Sequence, residues 1–260
     1  MQNHEIDYRI FGEEMQFVEV ELDYNETAIA EPGAFMMMDD GVIMETMFGD
    51  GSQQNNSIFG KLLNAGKRML TGESLFMTAF TNVNHGKRRV SFASPYPGKI
   101  IPLDLSQYNN RIICQKDSFL CAAKGVSVGI EFQKKLGTGL FGGEGFIMQK
   151  LEGDGMAFVH SGGHVIERDL QPGEVLKIDT GCIVAFTSTV DYDIQFVGGI
   201  KNTLFGGEGM FYAVLRGPGK VWIQTLPISR LAGRILSYGT GSRREEGSIL
   251  GGLGNLLDGD

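Results

Sequence analysis

Apolar and polar residues alternate with period two along much of this chain. Val18-Glu19-Val20-Glu21-Leu22-Asp23 and Val190-Asp191-Tyr192-Asp193-Ile194-Gln195-Phe196 alternate strictly, and both predict half-buried β-strands. Cys182 to Phe186 is a continuous apolar run, which suits a strand covered on both faces. Phe158-Val159-His160, Ser161-Gly162-Gly163 and His164-Val165-Ile166 predict a hairpin closed by a glycine turn. Helical spacing is confined to residues 58–70, with Ile58, Leu62, Leu63 and Leu70, and to the Gly-rich tail from Ser248. The 38 glycines fall in short clusters between apolar runs, where an all-β chain needs tight turns. Many short strands with closely spaced turn signals predict an all-β sandwich or barrel with little helix.

The pattern also repeats. Leu140-Phe141-Gly142-Gly143-Glu144-Gly145-Phe146 recurs 64 residues later as Leu204-Phe205-Gly206-Gly207-Glu208-Gly209-Met210, and the match extends without a gap on both sides. Leu151, Gly153 and Gly155 align with Leu215, Gly217 and Gly219, and Phe158 aligns with Trp222. A more diverged copy, Leu70-Thr71-Gly72-Glu73-Ser74-Leu75-Phe76, places Glu73 at the position of Glu144 and Glu208. Three tandem strand-rich units are therefore expected, at residues 1–95, 96–160 and 161–230, the first with a short helical insert near 58–70. Residues 231–260 are expected to be a flexible tail.

These motifs carry a resemblance. Glu31-Pro32-Gly33-Ala34-Phe35, the Glu73 segment, the two Gly-Gly-Glu-Gly loops and His160-Ser161-Gly162-Gly163 resemble the altered inheritance of mitochondria protein twenty-four family. So do Ile166-Glu167-Arg168-Asp169-Leu170-Gln171-Pro172-Gly173 and Val221-Trp222-Ile223-Gln224-Thr225-Leu226-Pro227. The resemblance covers roughly residues 15–230 and implies three tandem domains like the tryptophan RNA-binding attenuator protein, each a short double-stranded β-helix. It implies no established enzymatic activity. A yeast relative is linked to mitochondrial inner-membrane organisation, a role not carried over to a chain without a presequence.

Charge changes the picture more than composition does. Residues 1–56 hold 13 acids and one base, whereas residues 57–135 hold 12 bases and 4 acids. Such a chain can dock its own halves or pair head to tail with a neighbour. The net charge of −8 argues against broad nucleic-acid binding, and no basic pattern recurs between units. RNA binding by fold analogy is a weak alternative, and an enzyme with a cupin-like site is the weakest reading because no His/Glu cluster can be assembled for it. Lys87-Arg88-Arg89 reads as a solvated hairpin end before it reads as an anion patch. Three cysteines without a metal-type pair, and no signal or membrane-spanning pattern, predict a cytoplasmic protein with reduced thiols.

No catalytic signature, cofactor or metal site is predicted. Glu73, Glu144 and Glu208 are the candidate positions: converging carboxylates could hold a hard cation, although a turn-specifying role comes first. His160 and His164, flanking the expected glycine turn, read as ordinary surface residues. Trp222 reads as core, as does Met36-Met37-Met38. The expected function is a non-enzymatic scaffold that self-associates and engages a protein partner. A small-ligand or metal-binding β module is the alternative.

Overall fold

A computed structural model gives the architecture, and it describes residues 4–48, 76–134, 146–197 and 210–241. The first part of the chain contributes β1 (Asp7–Phe11), β2 (Phe17–Leu22), β3 (Thr27–Ala30) and β4 (Phe35–Met38). It continues with β5 (Val42–Phe48), β6 (Phe76–Asn82) and β7 (Arg88–Ala93). Next come β8 (Gly98–Asp104), β9 (Arg111–Gln115), β10 (Phe119–Ala123), β11 (Ser127–Lys134), β12 (Phe146–Glu152) and β13 (Met156–Gly162). The last strands are β14 (Val165–Leu170), β15 (Val175–Asp179), β16 (Ile183–Thr187), β17 (Asp191–Val197), β18 (Met210–Arg216) and β19 (Gly219–Gln224). The helix α1 (Ile228–Gly241) follows.

The strands form four antiparallel sheets, in the orders β1-β2-β7-β4, β5-β6-β3-β10-β13-β8, β11-β12-β9-β16-β19-β14 and β15-β18-β17. Period-two patterning sets the faces. In β2 the side chains of Val18, Val20 and Leu22 are buried while Phe17, Glu19 and Glu21 are half-exposed on the other side. The apolar runs of β10 and β16 lie at the centres of the two six-stranded sheets, with Phe119–Ala123 and Ile183–Phe186 buried throughout. Three apolar clusters fill the interior. One gathers Val20, Phe80, Phe92 and Phe158, a second Leu103, Ile112, Phe119 and Trp222, and a third Phe146, Phe186, Leu215 and Val221.

The hairpin expected at residues 158–166 does not form. β13 pairs with β8 and β10, whereas β14 pairs with β19 in another sheet. The glycines between them serve close approach rather than a hairpin turn. A Cβ on Gly162 would fall 1.9 Å from the Leu226 carbonyl oxygen, and Gly163 takes a left-handed φ of +68°. Both are held by distant groups: Gly162 N–H donates to Gln224 Oε1 and Gly163 N–H to the Pro97 carbonyl. The chain thus changes sheet at this point.

Residues 58–70 and the tail from Ser248, where helix was expected, lie outside the described residues. α1 begins before the expected tail, in a unit separate from the one that ends at Pro227. Ile228, Leu231, Ala232 and Ile235 fall at i, i+3, i+4 and i+7, so one stripe of the helix is apolar. Among the described residues no helix is long and apolar enough to cross a membrane.

Candidate functional site

Glu73, Glu144 and Glu208 all lie outside the described residues. In sequence they immediately precede β6, β12 and β18, which begin at Phe76, Phe146 and Met210.

The charge asymmetry is taken up within the chain. β7 lies beside β2, with Glu21 opposite Arg89 and Glu19 opposite Ser91. Lys87 Nζ reaches Glu21 at 2.7 Å and Asp7 at 3.3 Å, and Arg89 reaches Glu21 at 3.2 Å and Glu19 at 3.7 Å. Hydrogen bonds from Lys87 and Arg89 hold the Glu21 carboxyl below its ordinary pKa. The Lys87-Arg88-Arg89 segment therefore spends two of its charges on the acidic first strands, and Arg88 donates to the Asp40 carbonyl.

His160 is not a surface residue: it is 1% exposed, and neither ring nitrogen makes a well-formed hydrogen bond. The Tyr96 ring stands edge-on to it at 4.9 Å. Burial pulls the His160 pKa down to about 4, with the Asp117 backbone offsetting part of the shift. Half-buried Glu31 belongs to the same neighbourhood. Burial, then the Asp117 charge, pushes its pKa up to about 8, against a smaller opposing effect of Lys116. Burial and these two acids also raise the Tyr96 phenol. The adjacent Ser161 hydroxyl donates to the Lys99 carbonyl at 3.2 Å, so Ser161 and His160 are not a nucleophile–base pair. Burial thus favours the uncharged forms of His160, Glu31 and Tyr96 in this polar cluster. Sequence reasoning missed it because its members come from separate strands and loops.

A second feature is an acidic cavity of about 670 Å³, lined by His4, Asp7, Asp23, Glu26, Asp104 and Asp154 among others. His4 Nδ1 accepts the Thr27 N–H at 3.0 Å, and burial, then Lys124, lowers the His4 pKa. Burial raises the Glu26 pKa, opposed by its hydrogen bond from the Asp23 backbone and reinforced by the charges of Asp23 and Asp7. Such a cavity attracts cations. Among the described residues, however, no three His, Cys, Asp or Glu side chains are placed to hold a metal ion.

The third feature is apolar, and it corrects the reading of the methionine run as core. Among the described residues β4 is the outermost strand of its sheet, paired to β7 alone. Phe35, Met36, Met37 and Met38 are each 38–47% exposed, four successive apolar side chains on an unpaired edge. Ile43 and Met44 of β5, and Val83, are exposed apolar residues as well. Phe35 stacks on buried Phe80 at 5.5 Å, which anchors the strand. Among the described residues β15 is likewise the outermost strand of its sheet, with Val175 52% exposed and Leu176 and Ile178 packed on the third cluster. Long flat apolar edges are rare in isolated domains because their free N–H and C=O groups template pairing with another chain.

Comparison with known proteins places this arrangement. The family model described as mitochondrial biogenesis AIM24 matches residues 8–226. An uncharacterised protein of Streptococcus pyogenes serotype M6 is 31% identical over 230 residues, covering 86% of this chain and 88% of the relative. A crystal structure of another Streptococcus pyogenes protein, solved in a structural genomics programme, superposes with a TM-score of 0.69. It is 24% identical and covers 90% of this chain and 99% of its own, a likeness that shows the fold alone.

Proposed function

The chain belongs to the AIM24 family, and from that premise we propose that it is a non-enzymatic scaffold that works by self-assembly. The observation that carries this reading is β4: four successive exposed apolar residues on a strand edge that has no partner strand among the described residues. The reading treats the chain as three six-stranded units, β2–β7, β8–β13 and β14–β19. Strand positions support it, since β10, β12 and β16, β18 start 64 residues apart, as do β9 and β15. Cytoplasmic placement accords with Cys114 and Cys121, whose buried thiols are raised in pKa and unreactive. The metal-module alternative rests on Glu73, Glu144 and Glu208, and no described residue adds to it.

The test is the mass in solution. Wild type is expected to be oligomeric by native mass spectrometry and light scattering. Replacing both Met37 and Met38 with Lys is expected to yield a folded 28.4 kDa monomer, because two cations on the edge oppose strand addition. A monomeric wild type would sink the proposal.

A further inference from the structure

Two internal junctions hold the long sheets together, and both have the same form. β10 pairs with β3, setting Cys121 opposite Ala30, and β16 pairs with β9, setting Ala185 opposite Cys114. Each joins the inner half of one unit to the outer half of the next. At the two ends of the series the equivalent strands have no such partner strand among the described residues.

β4 stands where β10 and β16 stand. All three carry a register shift at matching places against the neighbouring strand: between Phe35 and Met37 on β7, Phe119 and Cys121 on β13, and Ile183 and Ala185 on β19. Met37 is thus the counterpart of Cys121 and Ala185. β15 stands where β3 and β9 stand. Ala30, Cys114 and Ile178 face Thr78, Gln149 and Ala213 on β6, β12 and β18 respectively. Ile178 is the counterpart of Ala30 and Cys114.

We infer that the β4 edge of one copy of this chain pairs antiparallel with the β15 edge of a second copy, reproducing the internal junctions between molecules. The register follows: Met37 faces Ile178 of the partner subunit, and Met38 faces Lys177 of the partner subunit. The contact is heterologous, head to tail, so copies add in one direction until the series closes into a ring or extends as a filament. This rests on the self-assembly reading and names its occupant and edge.

Two edge-blocked variants test it. Met37→Lys closes the β4 edge and Ile178→Lys the β15 edge; Val175→Lys replaces the latter if circular dichroism shows misfolding. Each variant alone is expected to be monomeric where wild type is assembled. Mixed, they are expected to form a 1:1 dimer and nothing larger, because one supplies an open β15 and the other an open β4. Separately, mixed Met37→Cys and Ile178→Cys chains are expected to give a disulfide linking positions 37 and 178 in peptide mass mapping. Wild-type-like assembly by the β15-blocked variant alone, or a disulfide joining two copies of position 37, overturns the head-to-tail contact and leaves self-assembly standing. A monomeric wild type overturns both.

Discussion

Two residues of the enclosed polar cluster pull stability in opposite directions with pH. His160 has a pKa of about 4 in the folded chain, against an ordinary 6.5. Below 6.5 the unfolded chain binds a proton that the folded chain refuses, so stability falls as pH drops from 6.5 to 4, by on the order of 3 kcal/mol. Glu31, at about 8 instead of 4.5, behaves the other way. The folded chain keeps a proton that the unfolded chain has released, so its contribution is present at low pH and is lost as pH rises from 4.5 through 8. Between 4.5 and 6.5 the two cancel, and above 6.5 only the Glu31 loss remains. Urea denaturation of Glu31→Gln should therefore show a smaller stability loss from pH 6.5 to 8 than wild type. An unchanged slope would mean that burial and the neighbouring Asp117 do not hold Glu31 protonated as the structure places them.

At the scale of the element, local pattern was legible and pairing was not. The alternation of β2 and the apolar run of β16 follow from side-chain period, and Trp222 is buried at its apolar repeat position. Partners are set by contacts distant in sequence. Nothing near residue 160 signals that β13 joins β8 and β10 instead of turning back on β14. For the same reason His160 read as exposed and the β4 methionines as core: whether an edge is covered depends on strands elsewhere. Glycine shows the distinction quantitatively. A Cβ on Gly98 would lie 1.7 Å from the Ser161 carbonyl oxygen, in the β8–β13 ladder, and backbone cannot yield there cheaply. Gly173 has open space around it and only a φ of +81° to satisfy. Gly173→Ala should cost about 1–2 kcal/mol, the left-handed penalty alone. Gly98→Ala should cost clearly more or prevent folding, as thermal denaturation of the two variants would read. Equal losses would mean that the β8–β13 approach is looser than described.

At the scale of the whole molecule the two kinds of surface contact respond differently to salt. The ion pairs from Lys87 and Arg89 to Asp7, Glu19 and Glu21 are at least partly open to solvent, and such pairs contribute little individually. They steer β7 against β2 but do not carry the apolar cluster of Val18, Val20, Leu22, Val90 and Phe92 that these strands bury. The β4 edge is mostly Phe and Met, and the β15 edge mostly Val, Leu and Ile, so their junction draws on apolar burial and backbone hydrogen bonding. Raising sodium chloride to about 0.5 M, where the Debye length falls below about 5 Å, should leave the assembled fraction unchanged. Ammonium sulfate should increase it. Light scattering across both series decides the matter: dissociation in chloride would make charge the cohesive force, and Met37 would then not lie at the centre of the contact.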